Sequence, residues 1–296
     1  MRHVKGILFT LLAFLSGQFL CAQDLIQIKG SDTSVNLVQM LAETYMEKNP
    51  EIPIVVTGGG SGVGIAALIN GQIPIADASR PMSAKEYAMA KENGVIPVEI
   101  AIGIDALSVI VNASNPVKSL SMRQIGAIYR GEITNWSEVG GPNQVISLYG
   151  RQPNSGTYVF FQEHVLLKKD YSPKMKQMNG SAQIVEGVKN DKAGIGYIGV
   201  GYVHDEAGKV YEGIHVLAVA RDDKSTAISP LIPENIKSGQ YPVARPLFQY
   251  INGKPKGSVR DFVAFILSSA GQQVVEKMGF YPISGIYLEN NKKAGF

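Results

Sequence analysis

Cysteine is almost absent from this sequence, which has one, Cys21, among 296 residues. A single thiol cannot close an intramolecular disulfide, and it cannot supply the paired thiolates of a structural zinc site. Cys21 also lies at the end of an N-terminal segment that we expect to be removed. The remaining chain would then have no thiol, which excludes thiol catalysis and cysteine-ligated metals.

Histidine is scarce as well, with four residues in the chain. His164, His204 and His215, which follow the N-terminal segment, do not stand in the spacing of a metal site or of a Ser/His/Asp triad. Ser61 lies outside a Gly-x-Ser-x-Gly motif, because position 63 is valine. We therefore predict a protein that is not an enzyme and that has no catalytic residue, metal or cofactor.

An excess of charge of one sign is also lacking, since the formal net charge is +3. Arg2 and Lys5 contribute to it, and the N-terminal segment has no acidic residue, so its removal brings the chain closer to neutral. A broad basic surface for nucleic acid or anionic lipid is therefore not expected. Any anion must be bound locally, by a few well-placed groups.

Long apolar runs are confined to the N-terminus. A basic start, an apolar run from Gly6 to Cys21 and the small residue Ala22 predict a secretory signal peptide, residues 1–22. A lipid anchor at Cys21 is the alternative, which the bulky Phe19 and Leu20 before it disfavour. No later run is long enough to span a bilayer, so we expect a protein that is soluble or tethered only at its start.

What the chain does have is a succession of strand, loop and helix. Three such units carry loops rich in glycine and hydroxyl side chains, at residues 31–34, 58–64 and 79–81. This order indicates a mainly parallel α/β sheet, which binds ligands at the carboxyl ends of its strands. We expect the three loops to line one edge of that sheet.

A fourth loop follows a strand at 145–149 and contains Arg151 and the run 154–157, Asn-Ser-Gly-Thr. Each loop alone also fits an ordinary turn, a helix cap or a surface arginine. Together they would place helix N-termini and up to two guanidinium groups, those of Arg80 and Arg151, around one point. Backbone N–H groups and the planar donors of arginine suit a phosphate-like oxyanion.

Two strand-like crossings, near Asp105 and His215, and the absence of a Pro/Ser-rich linker predict two lobes built from interleaved segments. Lobe 1 comprises residues 23–106 and 221–296, and lobe 2 comprises residues 107–220. A cleft between the lobes is the expected ligand site. Residues 241–251 should form a strand at a sheet edge, because Pro242 and Pro246 cannot donate to a ladder.

Several of these motifs resemble the phosphate-binding protein of bacterial phosphate ABC transporters. The matching segments are 30–34 (GSDTS), 58–64 (GGGSGVG), 75–81 (IADASRP), 133–136 (ITNW), Arg151 with 154–157 (NSGT), 241–247 (YPVARPL) and 262–282. The resemblance covers the chain after the signal peptide, in order. It implies a bilobal type II periplasmic-binding-protein fold, α/β, with two mixed-sheet lobes joined by a two-strand hinge.

The resemblance also implies a periplasmic, monomeric protein that binds inorganic phosphate in the cleft and delivers it to the permease subunits of an ABC transporter. By matching position, nine residues should surround the phosphate: Thr33, Ser34, Ser61, Ser79, Arg80, Arg151, Ser155, Gly156 and Thr157.

Position 80 departs from part of that family, in which an aspartate accepts the hydrogen of protonated phosphate. Asp77, Asp32 or a backbone carbonyl is then the candidate acceptor. Sulfate or molybdate binding by the same fold, or a serine-dependent phosphatase or hydrolase using Ser61 or Ser155, remain the alternatives.

Overall fold

The structure of the protein is a computed structural model that describes residues 25–205 and 208–296. The predicted signal peptide and Cys21 lie outside these residues. The strands are β1 Ile26–Gly30, β2 Ile54–Thr57, β3 Ile75–Ala78, β4 Pro97–Ala106, β5 Ser108–Asn112, β6 Ser119–Ser121, β7 Ser147–Arg151, β8 Lys176–Met178, β9 Gly194–Ile198, β10 Ile214–Val216, β11 Ala218–Ala220 and β12 Ala244–Asn252.

The helices are α1 Val35–Met46, α2 Ser61–Ile69, α3 Ala84–Glu92, α4 Met122–Arg130, α5 Gly156–His164, α6 Ser181–Lys189, α7 Pro233–Lys237, α8 Gly257–Leu267, α9 Ser269–Lys277 and α10 Ile286–Lys293. Short 3-10 helices cover Trp136–Val139 and Val200–Tyr202. In these described residues, no helix combines the length and the apolar character needed to cross a membrane.

The first sheet has five strands in the order β2-β1-β3-β12-β4. β1 pairs in parallel with β2 and β3, while β12 runs antiparallel to both β3 and β4. The carboxyl ends of β1, β2 and β3 therefore meet at one edge, as the strand-loop-helix pattern predicted.

The second sheet has five strands in the order β10-β5-β9-β7-β8. β7 is parallel to its neighbours β8 and β9, whereas β5 is antiparallel to β9 and β10. The chain passes from the first sheet to the second between β4 and β5, at Leu107. It returns after β11, which forms a separate two-stranded sheet with β6. The predicted α/β fold with two mixed sheets is confirmed, while the lobe boundaries at 106/107 and 220/221 stay a prediction.

The prediction of an edge position for residues 241–251 is wrong, because β12 lies between β3 and β4. Pro246 is tolerated there because β3 pairs only with the later part of β12, from Phe248 to Ile251. Along residues 244–247 the strand has one neighbour, β4. A proline at that end therefore has no ladder bond to β3 to remove.

Helix starts follow the sequence where capping residues are strong. Ser83 and Glu86 form a reciprocal capping box at the start of α3, and Ser121 with Gln124 does the same at α4. The C-terminal helices α8 and α9 bury apolar side chains at helical spacing, among them Phe262, Ile266 and Val275. The last helix, α10, was not predicted, since its sequence has no strong apolar period.

Asp77 is a carboxyl group buried in the first sheet, with 1% of its surface exposed. Its Oδ1 accepts a hydrogen bond of 3.1 Å from Nε2 of Gln249, the residue opposite it on β12. Burial raises the pKa of Asp77 to about 8, although the bond from Gln249 opposes the rise. Gln249 Oε1 is buried without a hydrogen-bond partner among the described residues, and a protonated Asp77 can supply that missing hydrogen.

The Asp77→Asn variant should lose less stability than the wild type as the pH rises from about 4 to about 8. A carboxyl whose folded pKa is raised contributes stability that is present below its unfolded value, near 3.8, and is lost as the pH rises through about 8. The free-energy advantage of the variant should therefore grow by up to about 1.4 kcal/mol per pH unit between pH 5 and pH 7. Urea unfolding of both proteins at each pH measures it. Asp261→Asn, at an exposed carboxyl of α8, is the control, and an equal pH dependence in the two variants would contradict the account.

Candidate anion-binding site

Four helix-starting loops meet between the two sheets. Three follow β1, β2 and β3 in the first sheet, and the fourth follows β7 in the second. Ser34, Gly60 and Ser155 are the N-cap residues of α1, α2 and α5. The first turns of these helices carry N–H groups without intrahelical acceptors, which makes the junction attractive to an anion.

Eight of the nine residues predicted to bind phosphate are buried at this junction, and Arg80 is partly buried. The buried ones are Thr33, Ser34, Ser61, Ser79, Arg151, Ser155, Gly156 and Thr157. Ser61 Oγ accepts from the backbone N–H of Ser79 at 3.0 Å and lies 3.3 Å from Ser79 Oγ. Ser155 Oγ accepts from the N–H groups of Thr157 and Tyr158. The loops are thus ordered by their own hydroxyl groups.

Direct contacts join the two sides of the junction. Thr33 Oγ1 and Thr157 Oγ1 are 2.7 Å apart. The backbone oxygen of Asn154 accepts from the N–H of Gly62 at 3.0 Å, and the Asn154 side chain donates to Gly59 O at 2.9 Å. A Cβ built on Gly156 would lie 2.4 Å from Ser61 Oγ and 2.6 Å from Ser79 Oγ, so glycine is required by this approach.

Arg151 lies at the centre of the junction, with 2% of its surface exposed. Its Nη2 donates to Asp32 Oδ2 at 2.5 Å and to Asn179 O at 2.7 Å. Asp32 also accepts from Gly59 N at 2.7 Å, and its backbone oxygen accepts from the Tyr202 hydroxyl at 2.6 Å. Nε of Arg151 is buried and has no hydrogen-bond partner among the described residues.

Arg80 is placed differently from Arg151. Both of its terminal nitrogens donate to Glu86, at 2.7 and 2.8 Å, and Nη1 also reaches Pro81 O. Burial alone raises the pKa of Glu86, but hydrogen bonds from Arg80 and Ser83 hold it below its ordinary value. Glu86 is therefore an ionised partner, and the fork of Arg80 is directed to it. Direct contact of Arg80 with an anion stays a prediction.

Sequence reasoning missed Arg245, which is 3% exposed and reaches the junction from β12. Its guanidinium pairs with Asp105 and donates to Ser79 O and to Thr157 Oγ1. The available signal was a lone charged residue within an otherwise uncharged strand sequence, because arginine is rarely buried without a partner. Because residues 241–251 were expected to form an edge strand, burial of Arg245 was not predicted.

Each of the three arginines is matched by a carboxylate. The pairs are Arg80–Glu86, Arg151–Asp32 and Arg245–Asp105. The junction therefore has little net charge despite its three guanidinium groups. Attraction of an anion depends mainly on oriented N–H and O–H donors at close range.

Comparison with known proteins identifies the family of the chain. The PBP superfamily domain matches residues 19–270 of the chain. Protein SphX of Synechococcus elongatus is 33% identical over 268 residues, covering 88% of this chain and 77% of its own. The phosphate-binding protein PstS of Pseudomonas aeruginosa is 31% identical over 271 residues, covering 86% and 81%. The chain belongs to the PstS family of phosphate-binding proteins.

A solved structure supports the membership in the PstS family. A protein from Clostridium perfringens, described as a phosphate ABC transporter substrate-binding protein, was solved with bound phosphate. It is 30% identical to this chain and superposes with a TM-score of 0.76, covering 88% of this chain and 100% of its own. The two-sheet architecture is therefore the periplasmic-binding-protein fold.

Gly156→Ala should force the two sides of the junction apart, because the added methyl group would overlap the Ser61 and Ser79 hydroxyls. Protein that begins at residue 23 lacks Cys21, the only native cysteine. Spin labels attached through Lys85→Cys and Glu163→Cys would therefore react at these two positions and nowhere else. These exposed positions lie on α3 and α5. Double electron–electron resonance should give a longer distance between the two labels in Gly156→Ala than in the protein with Gly156. Gly180→Ala, with open space around its Cβ, is the control, and an unchanged distance in Gly156→Ala would contradict this account.

Proposed function

We propose that this protein is an extracytoplasmic receptor that binds inorganic phosphate between its sheets and delivers it to the permease of an ABC transporter. The observation that carries the proposal is the buried guanidinium of Arg151. Its Nε lacks a partner among the described residues, and its Nη2 donates to Asp32 in the loop that precedes α1. The names of the relatives, PstS and the phosphate-bound C. perfringens protein, point to the same ligand.

The donors present at the junction are sufficient for phosphate without a metal. Stripping water from a dianion is costly, and the lost hydrogen bonds must be replaced. A charge-assisted hydrogen bond contributes about 1.5 to 3 kcal/mol net, and micromolar affinity requires about 8 kcal/mol after the cost of association. Arg151 Nε, the hydroxyls of Thr33, Ser61, Ser79 and Thr157, and the N–H of Gly156 are the donors proposed for phosphate. The N–H groups of Ser34, Ser155 and Thr157 already donate within their own loops and would have to exchange those bonds for the ligand.

Closure of two lobes would couple binding to transport. The proposed lobes, residues 23–106 with 221–296 and residues 107–220, are connected where the chain crosses between the sheets. Thr33 and Ser61 come from one, whereas Arg151 and Thr157 come from the other. Phosphate that binds both sides favours the closed arrangement, and a permease that contacts both lobes can distinguish it.

The hydrogen of monohydrogen phosphate needs an acceptor, and Asp32 fits that role better than Asp77. Asp77 is bonded to Gln249, and its pKa of about 8 keeps it largely protonated at neutral pH. Asp32 already contacts Arg151, and each of its oxygens accepts one bond, from Gly59 N or Arg151 Nη2. A carboxylate has further lone pairs, so Asp32 can accept another hydrogen.

An enzymatic role is not part of the proposal. Ser61 bonds to Ser79, and Ser155 caps α5. His164 contacts Phe160 O and stacks on the Phe160 ring. Hydrolysis of p-nitrophenyl phosphate that disappears in Ser61→Ala would favour the phosphatase alternative. Within the described part of the chain, no group of three His, Cys, Asp or Glu residues is arranged to hold a metal ion.

The proposed location is the periplasm, reached through the signal peptide at residues 1–22. The relatives by which the family is identified are transport binding proteins, which supports an extracytoplasmic site of action. We propose that the protein is a monomer. We also propose that it has no nucleic-acid partner, because the net charge of the chain is close to zero.

Arg151→Ala should lose most of the phosphate affinity, by about a hundredfold or more, because it removes the buried central donor and leaves Asp32 unpaired. Arg80→Ala should lose less, since its fork is engaged by Glu86. Calorimetric titration with phosphate, arsenate, sulfate and molybdate tests both. Arg123→Ala, at an exposed arginine, is the control. Failure of the wild type to bind phosphate at millimolar concentration would exclude the proposed function, and preference for sulfate or molybdate would favour those ligands.

Asp32→Asn should reduce discrimination between phosphate and sulfate, because asparagine has one acceptor oxygen instead of two, and Gly59 N and Arg151 Nη2 would compete with the phosphate hydrogen for it. Loss of the ion pair with Arg151 affects both anions, so the informative quantity is the ratio of the two affinities. Competition calorimetry at neutral pH should show that ratio falling about tenfold or more. The Asp77→Asn variant is the control, and an equal fall there would reassign the acceptor.

A further inference from the structure

Arg245 makes contacts that no other described side chain at the junction combines. Nε and Nη2 donate to Asp105 Oδ2 at 3.1 and 2.9 Å. Nη1 donates to Ser79 O at 2.8 Å, and Nη2 also donates to Thr157 Oγ1 at 2.8 Å. The guanidinium carbon lies 5.0 Å from the centre of the Phe160 ring, which is a cation–π contact.

These partners fall into two groups by their place in the fold. Arg245, Asp105 and Ser79 lie on β12, on β4 and directly after β3, all in the first sheet. Thr157 and Phe160 lie on α5, which follows β7 of the second sheet. Asp105 is also tied to the second side, because its Oδ1 accepts from Val200 N at 2.9 Å. Arg245 thus links the crossing strand β4 to the start of α5.

The direction of the hydrogen bond to Thr157 is fixed by chemistry. Arginine has donors and no acceptor, so Thr157 Oγ1 must accept from it. The Thr157 hydroxyl hydrogen therefore points away from Arg245, towards Thr33 Oγ1 at 2.7 Å or towards a ligand in the junction. Arg245 in this way presents the threonine pair as a donor.

The ion pair with Asp105 accounts for the burial of Arg245 but leaves its position unexplained. Burial lowers the pKa of Arg245 and raises that of Asp105, and each partner opposes the shift of the other. Arginine still keeps its charge, because its ordinary pKa is so high. Buried pairs of this kind are often no more stable than apolar side chains of the same volume. Apolar side chains in place of Arg245 and Asp105 would lose the hydrogen bonds to Ser79 O and Thr157 Oγ1. These two bonds therefore distinguish Arg245 from an apolar residue.

We propose that Arg245 is a positioning residue for phosphate binding: it acts through Thr157, holding the two sides of the junction together and orienting the threonine hydroxyl as a donor. Arg245 is not itself assigned to the ligand. The proposal rests on the proposed function for its ligand, phosphate. The link between the two sides does not require a ligand.

A double-mutant cycle tests the action through Thr157. Arg245→Lys keeps a positive charge beside Asp105 but lacks the fork that reaches Ser79 and Thr157 together. Thr157→Val removes the hydroxyl, and Thr157→Ser retains it. Calorimetry with phosphate should give losses of about tenfold or more for Arg245→Lys and for Thr157→Val, tighter binding in Thr157→Ser than in Thr157→Val, and a double variant no weaker than Thr157→Val alone. The proposal would be overturned if the affinity losses of the two single variants multiplied in the double variant, or if Arg245→Lys bound phosphate with wild-type affinity.

A second readout in ligand-free protein separates this proposal from the proposed function. Spin labels at Lys85→Cys and Glu163→Cys should show longer or broader distances in Arg245→Lys and in Thr157→Val than in the unsubstituted or Thr157→Ser protein. A purely structural role would lower the thermal midpoint without changing those distances, and that result would overturn the proposal. If Arg245→Lys does not fold, the comparison of Thr157→Val with Thr157→Ser provides the test. Absence of phosphate binding by the wild type would refute the function and leave the distance test standing.

Discussion

The structure depends on one constraint: the charge of Arg151 is buried between two sheets and must be compensated there. Asp32 supplies the opposing charge, and Asn179 O accepts a second hydrogen bond. Asp32 is itself held by the N–H of Gly59 and, through its backbone, by Tyr202. An uncompensated buried charge costs several kcal/mol, so these loops must keep their relative positions. Gly58 permits this approach, because a Cβ at that position would lie 2.4 Å from Asp32 Oδ1.

The same pairing limits the positive charge that the junction can offer to an anion. Three arginines approach the junction, but each one has a carboxylate partner. The remaining selectivity comes from short, oriented donors: hydroxyl groups and the N–H groups at helix starts. Such donors act over a few ångströms, so binding depends on how closely the two sides meet. We therefore propose that the contacts of Gly156, Thr157 and Arg245 across the junction contribute to recognition.

The local features of the fold could be read from the sequence where a single residue type has a strong preference. Ser83 and Ser121 marked helix starts, and glycine-rich loops after apolar strands marked the edge of a parallel sheet. The position of β12 could not be predicted, because a proline such as Pro246 normally indicates an edge strand. The exception here depends on the pairing of β3 with β12, which begins only at Phe248. Register between distant strands is set by packing, which a local pattern does not encode.

The loops that meet at the junction could be predicted from their motifs, whereas the residues that contact those loops from elsewhere in the chain could not. Thr33, Ser61 and Arg151 stand in distinctive loops. The partner of Arg151 could not be assigned, since Asp32 is 119 positions away in the chain. Arg245 lies in a strand and reaches Thr157 only because β12 and α5 meet across the junction. The role proposed for Arg245 rests on three-dimensional contacts that sequence spacing does not contain.

The most direct measurement is a crystal structure of the protein from residue 23 onward, grown with arsenate and located by its anomalous scattering. Arsenate has the shape and protonation of phosphate. The account predicts one anion between the sheets, within hydrogen-bond distance of Arg151 Nε and of the N–H groups at the start of α5. An anion bound elsewhere, or between the sheets without contact to Arg151, would contradict it.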